Sequence, residues 1–224
     1  GRGLVEPVDD IRETNPATNE PLMEALSRHM LDAKFDMRAF TKTLLRSRVY
    51  QMSSASNDSN RDDQQNFSHA AYKAIPAEAL LDAISQTTGV AEKFNGWPEG
   101  YRAIQIWDNR MPSYFFRIFG RPVRATVCEC ERSGEPSISQ ALHLLNSPEI
   151  MAKIQHRDGT ARRLANSELT DDELIDELYL TTLSRFPNEE ERSLMRGAFL
   201  DSGSERNAAV EDVLWALLNT KEFI

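Results

Sequence analysis

The sequence predicts a mainly α-helical domain, irregular in its middle and closing in a C-terminal helical bundle, and three observations carry that expectation. Apolar residues recur at helical spacing in the first ninety and last ninety positions, as in Leu80, Leu81 and Ile84 or Val210, Val213, Leu214 and Leu217. Those stripes are bracketed by helix-starting and helix-stopping residues: Asp36, Pro76 and Asp171-Asp172-Glu173 at starts, Gly89 at a stop. Between Phe94 and Pro136 the pattern breaks, and Gly96, Gly100, Gly120 and Gly134 with Pro98, Pro112, Pro122 and Pro136 punctuate a stretch rich in aromatic residues.

Taken in order, Pro21 to Ala33 sets Leu22, Ala25, Leu26 and His29 on one face. After Asp36, Phe40, Leu44 and Leu45 continue a second stripe, so a short antiparallel helix pair is expected. Residues 52–65 are rich in Ser, Asn and Asp and read as a surface loop. Asp58-x-Asn60-x-Asp62 imitates the start of a calcium loop, but Asp63 stands where the turn requires Gly and His69 where a bidentate Glu belongs. A helix from Pro76 to Thr88 follows. In the central segment Trp97, Tyr101, Trp107, Tyr114, Phe115, Phe116 and Phe119 supply the burial that regular elements would otherwise provide. A connection of that length in a compact domain is usually functional, which makes it the first place to look for a site. Helices resume at Ile138–Leu145, then from Asp171 through Leu183, from Glu189, and from Asn207 to Glu222. Tyr179 and Trp215, at helical spacing, are expected in the core.

Composition narrows the function. A chain of 224 residues buries roughly 70% of its unfolded surface, enough for one sizeable core or two small ones. One domain spanning 1–224 of a larger protein is the economical reading, divisible into a helical and loop-rich part, 1–136, and a helical bundle, 137–224. A net charge of −9 and a pI near 5.0, without a segregated basic stripe, argue against nucleic acid as a partner. No apolar run approaches the ~20 residues of a membrane span. The absence of a nucleophile elbow, a phosphate-cradling glycine loop, HExxH and CxxCH leaves hydrolase and covalent-haem chemistry without a motif. Glu6, Asp9 and Asp10 are paired carboxylates with no spacing that fixes which faces which.

Both cysteines lie in one charged run, Cys128-Glu129-Cys130-Glu131-Arg132, just after Phe119-Gly120-Arg121-Pro122. Three readings stand side by side. Two thiolates could join His143 or His156 and a nearby acid in a zinc site, although paired zinc cysteines usually have two intervening residues. They could form a strained, easily reduced disulfide, since in an extended strand their Cα atoms would lie roughly 6.6 Å apart on opposite faces. Or they are small buried hydrophobes. Arg117, Arg121 and Arg124 approach Glu129, Glu131, Arg132 and Glu135 in sequence; such a group either fixes the irregular segment as an ion network or binds an anionic ligand. Trp97 and Trp107 would then offer flat surfaces to the sugar rings of an anionic glycan.

The FGRP turn leading into CECER resembles the signature of a planctomycete-type secreted domain, domain of unknown function 1553. The likeness extends through Gly3-Leu4-Val5-Glu6-Pro7-Val8-Asp9-Asp10, Asn15-Pro16, Ser47-Arg48-Val49-Tyr50-Gln51, Asn66-Phe67-Ser68-His69, Leu183-Ser184-Arg185 and Trp215-Ala216-Leu217-Leu218-Asn219. Lys73-Ala74 departs from an arginine pair usual in the family, and Trp107 from a common proline. The resemblance implies a non-haem C-terminal module of a secreted or periplasmic multidomain protein, with a cytochrome c-like module and a sister domain upstream, and a gene neighbourhood containing sulfatases. Haem is then expected only on the upstream module, and none in this chain. It implies binding or scaffolding in glycan use at the cell envelope, with a thiol-redox or metal-dependent enzyme at Cys128 and Cys130 as the rival.

Overall fold

A computed structural model describes residues 3–7, 10–63, 66–70, 74–107, 111–122, 137–201 and 205–224. Among these, ten α-helices and a short 3-10 turn account for the regular structure: α1 (Glu20–Asp32), α2 (Met37–Arg46), α3 (Ala77–Thr88), the 3-10 turn (Ala103–Gln105), α4 (Tyr114–Ile118), α5 (Ile138–Asn146), α6 (Pro148–Ile154), α7 (Thr160–Ala165), α8 (Asp171–Leu183), α9 (Glu189–Asp201) and α10 (Arg206–Leu218). The expected mainly α-helical class holds. No described helix is long and apolar enough to cross a membrane.

The chain divides into two compact units. In the first, from the start to Lys73, α1 and α2 form the expected pair: the His29 and Phe40 rings stack at 5.9 Å, and His29 Nε2 lies 3.2 Å from Thr43 Oγ1. Asn19 caps α1 by accepting from the Leu22 amide, and Asp36 caps α2 by accepting from Ala39. Neither helix has a fully buried residue. The calcium-loop imitation is spent on local turns. Asp58 pairs with Arg61 at 2.7 Å, the Asn60 side chain accepts from the Asn57 amide and donates to the Ser68 carbonyl, and Asp63 accepts from Asn66 and Ser68. Glu6 accepts from the Gly3 amide and Asp10 meets Arg12 at 2.9 Å; Asp9 lies outside the described residues.

The second unit comprises the described residues from Ala74 onward. Its core is made by α3, α6, α7, α8 and α10, with Leu80, Ile84, Ile154, Leu174, Ile175, Leu178, Val210, Leu214 and Leu217 almost wholly buried. Helix α3 stops at Gly89 because that residue takes a left-handed backbone at φ +71°, which glycine adopts without the Cβ penalty. A Cβ there would also meet Thr160 Oγ1 at 2.8 Å, so α3 and the start of α7 close on one another through this glycine. Helix α8 begins with a reciprocal capping box between Thr170 and Glu173. Tyr179 is buried as expected, whereas Trp215 is half-buried and donates its indole N–H to the Leu145 carbonyl at 3.3 Å.

Four elements were not legible in advance: α4, the 3-10 turn, α6 and α7, each three to seven residues long and too short to display a period. The last helix also ends at Leu218 and not at Glu222, with Asn219 donating its side-chain amide back to the Trp215 carbonyl at the C-terminus.

Electrostatics bind the C-terminal helices. Arg185, in the turn after α8, is bidentate to both Glu191 and Glu222 at 2.7–2.8 Å, and its guanidinium lies 5.5 Å from the Tyr179 ring centroid. Arg196 is bidentate to Asp172 across α8 and α9. Hydrogen bonds from Arg185, joined by the Asn188 amide, hold the Glu191 carboxyl down from 4.5 to about 2. A depressed folded value means that this stabilisation is complete above the ordinary carboxylate range and is lost as pH falls toward 2. With Arg185 a third exposed, screening leaves about 1–2 kcal/mol. Glu191→Gln is therefore expected to lower stability at pH 7 and to flatten the decline in chemical-denaturation midpoint between pH 5 and 2; an unchanged acid limb would refute the assignment.

Candidate functional site

The aromatic segment is ordered from α3 outward. Asp82, which directly follows the buried Leu80 and Leu81, accepts from the amides of Ala103 at 2.6 Å and Ile104 at 3.2 Å, and its carboxylate lies 3.4 Å from Arg102. One side chain thereby fixes the 3-10 turn, burying Ala103 and Ile106 and leaving Arg102, Ile104, Gln105 and Trp107 on the surface. Trp97 packs partly against the core; Tyr101 meets it at 5.4 Å and Trp107 meets it edge-on at 5.7 Å. Trp107 is 80% exposed. An indole in water is costly to leave uncovered, and here its ring is held in place by a neighbour anchored to the core.

The two tryptophans singled out from the sequence are thus brought together. The arginines separate. Arg121 is buried: its Nε lies 3.2 Å from Glu78 of α3, its guanidinium stacks 4.4 Å from the Phe116 ring centroid, and it donates to the Ile106 carbonyl. This is a structural ion pair inside the core. Arg117 is exposed, 5.2 Å from the Tyr114 ring, with no acid beside it among the described residues. Arg124, Cys128, Glu129, Cys130, Glu131 and Arg132 lie outside the described residues.

His143, the third ligand of the zinc alternative, points its ring into a cage of Tyr114, Phe115 and Phe119, with centroids at 5.4, 5.7 and 6.1 Å. Burial lowers its pKa and Glu149 opposes that in part, so the ring is neutral at pH 7. Among the described residues no three His, Cys, Asp or Glu side chains converge as metal ligands. The ring is packed among aromatic side chains, and neither ring nitrogen has a hydrogen-bond partner among the described residues. Asp82 and Glu78 were both missed, because an acid in a helix reads as a solvated face until the fold shows what it holds.

No curated protein and no solved structure matches the chain. The sequence profile of one family matches residues 1–199, nearly the whole length. The resemblance carried by the FGRP and CECER segments is thereby established, and the chain belongs to the family described as PSD1, protein of unknown function (DUF1553).

Proposed function

We propose that this domain is a binding module for a glycan, with Trp97, Tyr101 and Trp107 as the platform on which sugar rings stack. The observation that carries the reading is the exposure of Trp107 on a fixed partner: a flat, pre-ordered apolar surface loses little entropy when the C–H face of a pyranose covers it. The guanidinium of Arg117 on the same segment, with no acid beside it among the described residues, suits a sulfate or carboxylate substituent. Family membership supports the wider setting, in which the domain is the non-haem module of a secreted protein bearing a cytochrome c-like partner and acts in glycan use at the envelope.

The test is affinity electrophoresis through gels containing neutral, uronate-rich or sulfated polysaccharide. Retardation is expected with at least one of them. Trp107→Ala should weaken it by about tenfold or more, as expected for removing one stacking surface worth ~1–2 kcal/mol. Migration indifferent to every polysaccharide, or retardation unchanged in Trp107→Ala, would reject the platform. The rival enzyme is assayed on the same preparation, by thiol titration and metal analysis of parent and Cys128→Ser/Cys130→Ser protein.

A further inference from the structure

Within the first unit, α2 presents two parallel rows of side chains that its partner helix leaves uncovered. Phe40 and Thr43 face α1, where they meet the His29 ring and its Nε2. Met37, Thr41 and Leu45, four residues apart, form an exposed row; Arg38, Lys42 and Arg46, each one residue on and about 100° further round, form a second. Met37 is 61% and Leu45 45% exposed. Exposed apolar side chains also flank both ends of the helix, Phe35 before it and Val49 and Tyr50 after it.

The charges stand apart from the rest of the chain. Between Met37 and Asn57 there are four cations, Arg38, Lys42, Arg46 and Arg48, and no acid, in a protein whose net charge is −9. Read along the sequence this stripe is hidden, because the acids of α1 and of residues 58–63 on either side average it away; the helix gathers three of the four cations on one face. On α1 the corresponding charge is neutralised, since Arg28 meets Glu24 one turn away. No acid pairs with the four cations of the α2 stretch among the described residues. Like charges four apart repel and oppose the helix.

A partner has to satisfy both rows. A nucleic acid would match the cations and leave Met37, Leu45 and Tyr50 in water. A protein groove reads apolar anchors at i, i+3 or i+4 and i+7. The side chains that would serve, Phe40 and Leu44, are half-buried, which leaves Met37 and Leu45 on either side of Thr41, too thin a row for a groove. An anionic bilayer surface matches both rows at once: apolar side chains enter the acyl boundary while the cations, on long stems beside them, stay among the headgroup phosphates. The helix then lies along the surface and does not cross it.

We propose that α2 is a docking face for an anionic lipid bilayer, with Met37, Leu45 and the flanking Phe35 and Tyr50 at the acyl boundary and Arg38, Lys42 and Arg46 among the headgroups. The proposal does not use the tryptophan platform. Co-sedimentation of the full chain with vesicles tests it. Vesicles of equal parts phosphatidylglycerol and phosphatidylcholine are expected to carry the protein down, and pure phosphatidylcholine is not. Raising NaCl from ~0.1 to ~1 M, which shortens the Debye length from about 10 to about 3 Å, should release most of it. Arg38→Gln/Lys42→Gln/Arg46→Gln should lower the partition coefficient about a hundredfold, about fivefold per cation, and Met37→Ser/Leu45→Ser about tenfold. Trp107→Ala, and Arg162→Gln/Arg163→Gln at two exposed cations of α7, should leave it unchanged. Both α2 variants alter exposed positions of a helix without a fully buried residue, so their circular dichroism should match that of the parent. Should the glutamine triple unfold, the serine pair decides alone. Failure to sediment with anionic vesicles, equal binding to neutral ones, indifference to either α2 variant, or equal loss on the α7 change overturns the proposal. So does retention by single-stranded DNA or a sulfated polysaccharide with none by vesicles, which assigns the stripe to a soluble polyanion.

Discussion

Arg121→Ala is expected to destabilise the protein by about 3–5 kcal/mol, measured as a fall in denaturation midpoint at unchanged slope. The guanidinium is 5% exposed and Glu78 is 10% exposed, so removing the cation takes a counter-charge away from a carboxylate that is largely shielded from water. The Ile106 carbonyl loses its donor and the Phe116 ring its stacked cation at the same time. The loss should be smaller in the double variant Arg121→Met/Glu78→Leu, because apolar side chains of similar volume restore packing and both charges of the pair are gone. A single variant as stable as the parent would mean that the pair is solvated and that the FGRP turn does not organise the central segment.

Leu214→Ala should cost about 2–5 kcal/mol. Leu214 is wholly buried in α10, which packs against α7 and α8, and truncation leaves a cavity that the surrounding core fills only in part. The matched change on the surface, Leu194→Ala at 71% exposure in α9, should stay within about 0.5 kcal/mol. Equal effects at the two positions would contradict the placement of α10 in the core.

Where a segment was long and periodic, its place in the fold could be read from residues alone. α3 and α8 begin and end within a residue of the expectation, because Pro76, Gly89, the acidic start at 171–173 and the Leu/Ile stripes all point the same way. The site was legible only in its ingredients. Trp97 and Trp107 could be named as a sugar-facing pair, but their meeting depends on Asp82, whose carboxylate reaches across from another element. Arg121 could be named as a member of an ion network, yet its acid of α3 is remote in sequence, and long-range pairing of charges leaves no local pattern.

The close approach of α3 to α7 through Gly89 also bears on how the chain must fold. Contacts within α8 to α10 join neighbours in sequence and can form early, at small entropic expense. The wall contributed by α3 belongs to a stretch that precedes the central aromatic segment, yet it closes against α6 and α7, which follow it, and Ile75 donates its amide to the carbonyl of Ile224. Closing so long a loop slows the search for native contacts more than it weakens the final state. A helical protein built this way is expected to fold more slowly than one whose contacts are all local, and its aromatic surface is complete only once α3 and the turn that Asp82 holds have met.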